Sequence, residues 1–235
     1  MPTVYLIPSP LHEEGMPAIP LYILEAVRQC QVLFVENERT ARRFLKKLSK
    51  DIVIDDFEWY TIHKSEKELR ETFINKLKEG KNAGLISEAG CPGVADPGQW
   101  LVAAAQEMDI EIRPLVGPNS ILLALMASGM NGQQFKFWGY LPVDAGEREK
   151  NIRELETESM NKNCTQIFIE TPYRNDQLFQ SILKTCMPST RICIAADLTS
   201  PAEWIKTKAI KDWKKLKPSL HKKPVIFLLS AGKNA

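Results

Sequence analysis

Short apolar runs alternate along the first part of the chain with stretches in which apolar residues recur every three or four positions. The runs at 3–7, 31–35, 52–54, 82–86, 110–113 and 135–138 predict strands. The stretches 17–29, 38–48, 64–79, 97–108 and 118–128 predict helices. In the first helix Ile19, Tyr22, Ile23, Ala26 and Val27 share a face, and in the third Leu69, Phe73, Ile74 and Leu77 do, with Gly80 as the stop. Strands and helices alternating at this spacing predict a mostly parallel sheet covered on both faces. Past Trp138 the rhythm changes. A charged helix at 147–159, a strand at 165–169 and a helix at 173–185 precede strands at 191–196, 203–207 and 224–229, with a short basic helix at 210–216. More strand and tighter connections predict a mixed sheet. The segment 139–146 has the Gly, Pro and Asp of a connection, so the expected organisation is an N-terminal α/β domain over 1–138, a linker over 139–146 and a C-terminal α/β domain over 147–235.

Composition narrows the class without naming a function. A chain of 235 residues with 44% hydrophobic and 26% charged residues has the make-up of a globular protein with a sizeable core. A net charge of +2 does not by itself announce a nucleic-acid binder. The five cysteines, Cys30, Cys91, Cys164, Cys186 and Cys193, are odd in number and no two have CxxC spacing, which favours a reducing compartment over a disulfide framework or a zinc site. His12, His63 and His221 are scattered, so no metal site is expected. The N-terminal apolar run lacks a basic flank and is broken by Pro8, and no run reaches the ~18 residues of a membrane span. The expected location is the cytoplasm, with no membrane partner.

The chemistry concentrates in residues 85–98, LISEAGCPGVADPG, a small-residue loop at the carboxyl end of a buried strand. Open α/β sheets bind ligands at such loops, although a plain strand-to-helix connection has the same composition. Phosphate-loop and dinucleotide glycine patterns are missing, as is a nucleophile elbow. Three turns instead place proline where a helix is expected to open, at Asp96-Pro97, Gly117-Pro118 and Thr171-Pro172. Together they would offer backbone N–H groups to a ligand bearing a carboxylate or ribose hydroxyls, or they are ordinary α/β connections. Glu88 is read as an acid that orients an acceptor or takes its proton, or as a surface acid. Asp96 is read as a helix N-cap, and Cys91 as a small residue packed under the loop. Another acid, Glu36, follows the second strand.

Residues 87–98, Val116-Gly117-Pro118-Asn119-Ser120 and Phe137-Trp138-Gly139-Tyr140-Leu141-Pro142 resemble consecutive motifs of the tetrapyrrole methylase superfamily, the class III S-adenosylmethionine-dependent methyltransferases. Glu170-Thr171-Pro172-Tyr173-Arg174 is similar to the "ESPHR" motif, and Asp197-Leu198-Thr199 to part of the "RELTK" motif, of the branch that methylates a ribose 2′-hydroxyl of small-subunit ribosomal RNA. Order and spacing match over nearly the whole chain. The resemblance implies a two-domain tetrapyrrole-methylase-like α/β fold, a cofactor cleft between the domains, a homodimer, and S-adenosylmethionine as cofactor. It also implies the lining residues: Pro8 and Ser9, Ser87, Glu88, Ala89, Gly90 and Cys91, Asn119 and Ser120, Thr171, Pro172 and Tyr173, and Asp197, Leu198 and Thr199.

The departures fall on the same motifs. Pro8-Ser9-Pro10-Leu11-His12 stands where that branch has "TPIGN", Glu88 where the family has Asp, Asn119 where it has Ser, Tyr173 where it has His, and Ala196 and Ser200 where it has Arg and Lys. The RNA-modifying members also carry a further C-terminal segment. The implied acceptor is ribosomal RNA, with a tetrapyrrole-like small molecule, or a catalytically idle cofactor- or RNA-binding homologue, as the alternatives. For RNA, the basic helix at 38–48 and the 206–223 region would contact phosphates, and Trp59, Tyr60, Trp138, Trp204 and Trp213 would stack on bases. Interleaved acids and scattered aromatics equally describe a solvated face and a packed core.

Overall fold

The computed structural model describes residues 1–62, 66–216 and 218–232. They form two compact units, Met1–Asn119 and Ser120–Ala235.

The first unit holds β1 (Thr3–Ile7), α1 (Ile23–Arg28), β2 (Val32–Val35), α2 (Glu38–Leu48), β3 (Glu58–Thr61), α3 (Glu66–Lys78), β4 (Ala83–Ile86), α4 (Gln99–Glu107) and β5 (Glu111–Pro114). Its sheet is wholly parallel, in the order β3-β2-β4-β1-β5. The crossovers β1→β2→β3 run one way along the sheet and β3→β4→β5 the other. Right-handed crossovers therefore put α1 and α2 on one face and α3 and α4 on the opposite face. The cores agree. Ile23, Val27, Phe44 and Leu45 pack with Tyr5, Ile7, Leu33 and Val35, while Phe73, Leu77, Leu101 and Ala105 pack with Val4, Val32, Phe34 and Leu85. Adjacent β4 and β1 send their connections in opposite directions, and such a strand pair is where ligand crevices open at the carboxyl edge.

Several elements differ from expectation. The helix expected from residue 17 is instead a 3-10 turn, Met16–Ala18, followed only later by α1. Pro20 cannot sit inside a helix and holds Ile19 extended at φ −94°, ψ 117°. The strand expected at 52–54 is a 3-10 turn over Ile54–Asp56, and the strand lies beyond it, where Val32 to Val35 pair with Glu58 to Thr61. The acidic pair Asp55-Asp56 suits a turn, while Trp59, Tyr60 and Thr61 suit a strand. The expected start of the third helix, at 64, lies outside the described residues. None of the three prolines opens its helix: the helices that follow begin at Gln99, Ser120 and Asn175, two or three residues past Pro97, Pro118 and Pro172.

The second unit comprises α5 (Ser120–Ser128), β6 (Phe135–Tyr140), α6 (Ala145–Lys162), β7 (Thr165–Ile169), α7 (Asn175–Thr185), β8 (Arg191–Ala196), β9 (Trp204–Ala209), α8 (Ile210–Trp213) and β10 (Val225–Ser230). Its sheet is mixed, in the order β6-β7-β10-β8-β9, parallel only between β6 and β7. This unit begins ahead of the expected 139–146 linker, because α5 packs on β8, β9 and β10. The supposed linker is structured. Gly139, at φ +67°, sits at a register shift of β6, and Asp144 caps α6 by accepting from Glu147 N at 2.9 Å. The same Gly and Asp that suggest a connection here serve a bulge and a helix cap.

Candidate functional site

Three neighbouring strands of the first unit end in loops that are tied to one another. After β1, Ser9 forms an isolated antiparallel bridge with Gly90 in the loop after β4, donating to its carbonyl at 2.8 Å and accepting from its N–H at 3.0 Å. The Ser9 hydroxyl donates to Ser87 O at 2.8 Å, and the Ser87 hydroxyl to Gly90 O at 3.3 Å. From the turn after β5, Gly117 presses on Pro8, and the Cys91 thiol donates to Pro118 O at 3.5 Å. Burial pushes the Cys91 thiol up, with the Asn119 side chain acting in the opposite sense. The structure thus brings Pro8, Ser9, Ser87 to Cys91 and Asn119 together. The Cys91 side chain is half-buried against this turn.

Glu36 is the acid to which the sequence assigns no role. Its carboxylate accepts from Glu88 N at 2.8 Å, so the acid ending β2 holds the loop that carries Glu88. The only sequence signal is an acid directly after a buried strand. Glu88 itself is exposed. With Ser9, Ala89, His12 and Arg43 it lines a cleft of about 280 Å³ beside α2. Asp96 does not cap α4: its Oδ1 accepts from Gly93 N at 2.9 Å and Gly98 N at 2.8 Å, bracing the loop from inside. Burial raises its pKa against these two hydrogen bonds.

In the second unit β7 and β8 both run antiparallel to β10, so their carboxyl ends lie at the same edge. The segment before β10 joins them. Lys222 N donates to Pro172 O at 2.9 Å, Asp197 N donates to Pro224 O at 3.0 Å, and Lys223 pairs with Asp197 at 3.2 Å. Asn175, fully buried at the start of α7, donates to Lys223 O at 2.8 Å. Thr171, Pro172, Tyr173 and Asp197 to Thr199 are therefore brought together, while Ser120 opens α5. Glu170 is 5% exposed and accepts from Thr171 N at 2.6 Å and from Arg174 Nη2 at 2.7 Å, which fixes the turn bearing Tyr173. Asp197 and Thr199 hold left-handed backbone at φ 53° and 66°. The Thr199 hydroxyl is buried with no partner among the described residues.

Aromatic residues offered for stacking mostly pack. Trp213 is fully buried and donates to Ile192 O at 2.9 Å, and the Tyr60 ring lies 5.0 Å from that of Phe34. Trp138 donates to Gln166 Oε1 at 2.6 Å. In the 206–223 region Lys215 pairs with Asp212 and Lys223 with Asp197, while Lys217 lies outside the described residues. Among the described residues no three His, Cys, Asp or Glu side chains are placed to hold a metal ion, and no helix is long and apolar enough to cross a membrane.

A parallel five-stranded unit with its loops knit at the carboxyl edge, followed by a mixed five-stranded unit, defines a two-unit α/β protein. The sequence model for Tetrapyrrole (Corrin/Porphyrin) Methylases matches residues 15–212, and the chain belongs to that family. It is 36% identical over 172 residues to ribosomal RNA small subunit methyltransferase I of Micromonospora olivasterospora, covering 73% of this chain and 52% of that protein. It is 30% identical over 235 residues to the protein of the same name from Buchnera aphidicola subsp. Schizaphis graminum, covering 97% and 78%. The chain thus spans about half the length of the first relative and most of the second. The methyltransferase CobJ shares the fold at TM-score 0.64 and 17% identity, over 97% of this chain and 93% of that one. So does uroporphyrin-III C-methyl transferase from Thermus thermophilus, complexed with S-adenyl homocysteine, at 0.54 and 14%, over 99% and 98%.

Proposed function

We propose that the chain is an S-adenosylmethionine-dependent methyltransferase acting on a ribose 2′-hydroxyl of small-subunit ribosomal RNA, a cytoplasmic enzyme that works as a homodimer. The observation that carries this reading is the 30% identity to the Buchnera relative over 97% of the chain.

The residues present fit the cofactor. Thr199 offers a buried hydroxyl with no partner among the described residues, and Asp197 and Thr199 keep strained backbone beside it. In the first unit the Ser9–Gly90 bridge and the Gly117–Pro8 contact fix a preformed backbone edge. In the first unit the groups offered to the cofactor are Pro8, Ser9, Ser87, Ala89 to Cys91 and Asn119, with Glu88 contributing only its main chain. In the second unit they are Ser120, Thr171 to Tyr173 and Asp197 to Thr199. When bound, S-adenosylmethionine supplies a methyl group on a good leaving group. The work left to the protein is alignment of the acceptor and removal of its proton. Glu88 is the group for the second task. Its carboxylate has no hydrogen bond or ion pair among the described residues, and its main chain is held by Glu36.

Glu88→Ala should bind S-adenosylhomocysteine as the wild type does in calorimetry. It should transfer labelled methyl to small subunits from cells lacking the enzyme about 10²-fold more slowly. An unchanged rate removes Glu88 from the chemistry. No transfer by the wild type to those subunits removes RNA as the acceptor. Light scattering tests the homodimer.

A further inference from the structure

The helix α2 carries five cations, Arg39, Arg42, Arg43, Lys46 and Lys47, against one acid, Glu38. The structure sorts them. Arg42 pairs with Glu38 at 2.6 Å and lies 5.1 Å from the Trp59 ring centroid. Lys46 donates to Ile52 O at 2.6 Å and Lys50 O at 3.1 Å, closing the end of the helix. Lys47 donates to Glu13 O at 3.0 Å, fastening the loop after β1. These three hold the fold. Arg39 and Arg43 are exposed and make no hydrogen bond or ion pair among the described residues.

Spaced four apart, Arg39 and Arg43 lie on one face of α2, where two like charges work against the helix. Arg43 also lines the cleft that includes Ser9, Ala89 and Glu88. His12 stands in the same cleft. Its Nδ1 accepts from Glu14 N at 3.2 Å, which leaves Nε2 to donate in the neutral ring. Two guanidiniums without partners among the described residues, one of them on the wall of a cleft that the proposed base also lines, form a receptor for consecutive phosphates. The acids in that cleft, Glu13 and Glu88, disfavour an anion beside them, so the phosphates are held by the arginines and not at the base itself.

We propose that Arg39 and Arg43 clamp the backbone phosphates of the RNA acceptor and lead the strand along α2 into the cleft, with the His12 ring as an added donor. This deepens the reading of the chain as an RNA methyltransferase and rests on it. Arg39 and Arg43 are positioning residues: they touch the acceptor's backbone and not the reacting oxygen.

The test is the salt dependence of binding to small-subunit ribosomal RNA, read by fluorescence anisotropy with cofactor product present. Removing one phosphate-bound arginine should flatten the slope of log K against log salt by about one, so R39A/R43A should flatten it by about two. R42A, which removes an arginine already paired, should leave the slope where it is. R39K/R43K should restore the slope and only part of the affinity, since lysine keeps the charge and lacks the fork. All variants should bind S-adenosylhomocysteine with wild-type affinity, and in methyl transfer R39A/R43A should raise KM for the RNA with kcat held. An unchanged slope in R39A/R43A, or an equal fall in R42A, overturns the clamp, as does a wild-type chain that binds no RNA. Binding with the expected slopes but no methyl transfer from the wild type would uphold the clamp and overturn the methyltransferase reading instead.

Discussion

A Cβ on Gly117 would lie 2.2 Å from Pro8 Cβ and 2.4 Å from its Cγ, and proline has no flexible end to move aside. Gly117→Ala must therefore push the turn after β5 away from the turn after β1, in the same knot where Cys91 reaches Pro118 O and Ser9 bridges Gly90. The expected loss is about 1–3 kcal/mol of stability, as for an overpacked interior, read by urea unfolding. S-adenosylhomocysteine affinity should fall with it, because the displaced backbone is part of the proposed cofactor edge. A variant as stable and as tight-binding as the wild type would show that the turn yields freely. The same knot marks the limit of what single residues disclose. Ser87, Glu88 and Gly90 are visible in the sequence as small residues and an acid directly after a buried strand. The grip of Glu36 on Glu88 N does not, since the two are far apart in sequence and meet only when β2 and β4 pair.

Among the elements, α2 shows how a local signal and a tertiary role coincide. Asn37 accepts from Thr40 N at 3.2 Å and caps the helix, directly after the Glu36 that holds the Glu88 loop. Asn37→Ala should cost about 1 kcal/mol. Because the cap fixes where α2 starts, it should also reduce RNA affinity by loosening Arg39 and Arg43 more than it reduces cofactor affinity. Thermal unfolding and the two binding measurements separate these effects. The bounds of α2, β7 and β8 are readable from the sequence, since the apolar period and the stop signals agree there. The third strand is not. Ile52 is apolar and buried, but it serves the core from outside the sheet, while β3, on the sheet's edge, is half-buried throughout and shows no apolar run. The proline turns mislead for a different reason. Asp96 spends its carboxylate on Gly93 N and Gly98 N, so the loop closes before the helix can start. The fold class is legible because strand and helix periods are local. The unit boundary is not, because α5 is assigned by the sheet it packs on and not by its own sequence.

For the molecule as a whole, each unit has its own core, and acid should weaken them unequally. In the first unit Glu58 on β3 pairs with Lys76 of α3 at 2.7 Å and with Lys81. The two ammonium groups hold its carboxyl down to about 2 from an ordinary value of 4.5. A carboxyl lowered by folding contributes stability that is complete above its ordinary value and is lost as the pH falls from about 4.5 towards about 2. Glu79 and Glu111, lowered by Lys81 and Arg113, act in the same direction. Asp96 acts in the other. Burial raises it, so its contribution is complete below its ordinary value and is lost as the pH rises through the raised one. Glu58 is partly exposed, so salt should shrink its share. Glu58→Gln should therefore reduce, without abolishing, the fall in stability between about pH 5 and about pH 3, and the difference from wild type should narrow at high ionic strength. Hydrogen exchange read amide by amide assigns the effect. Protection in β3, β2 and α3 should become less pH-dependent in the variant, while β7, β8 and β10 keep their wild-type profile. An equal change in both sets would mean that the Glu58 network stabilises more than the unit that contains it.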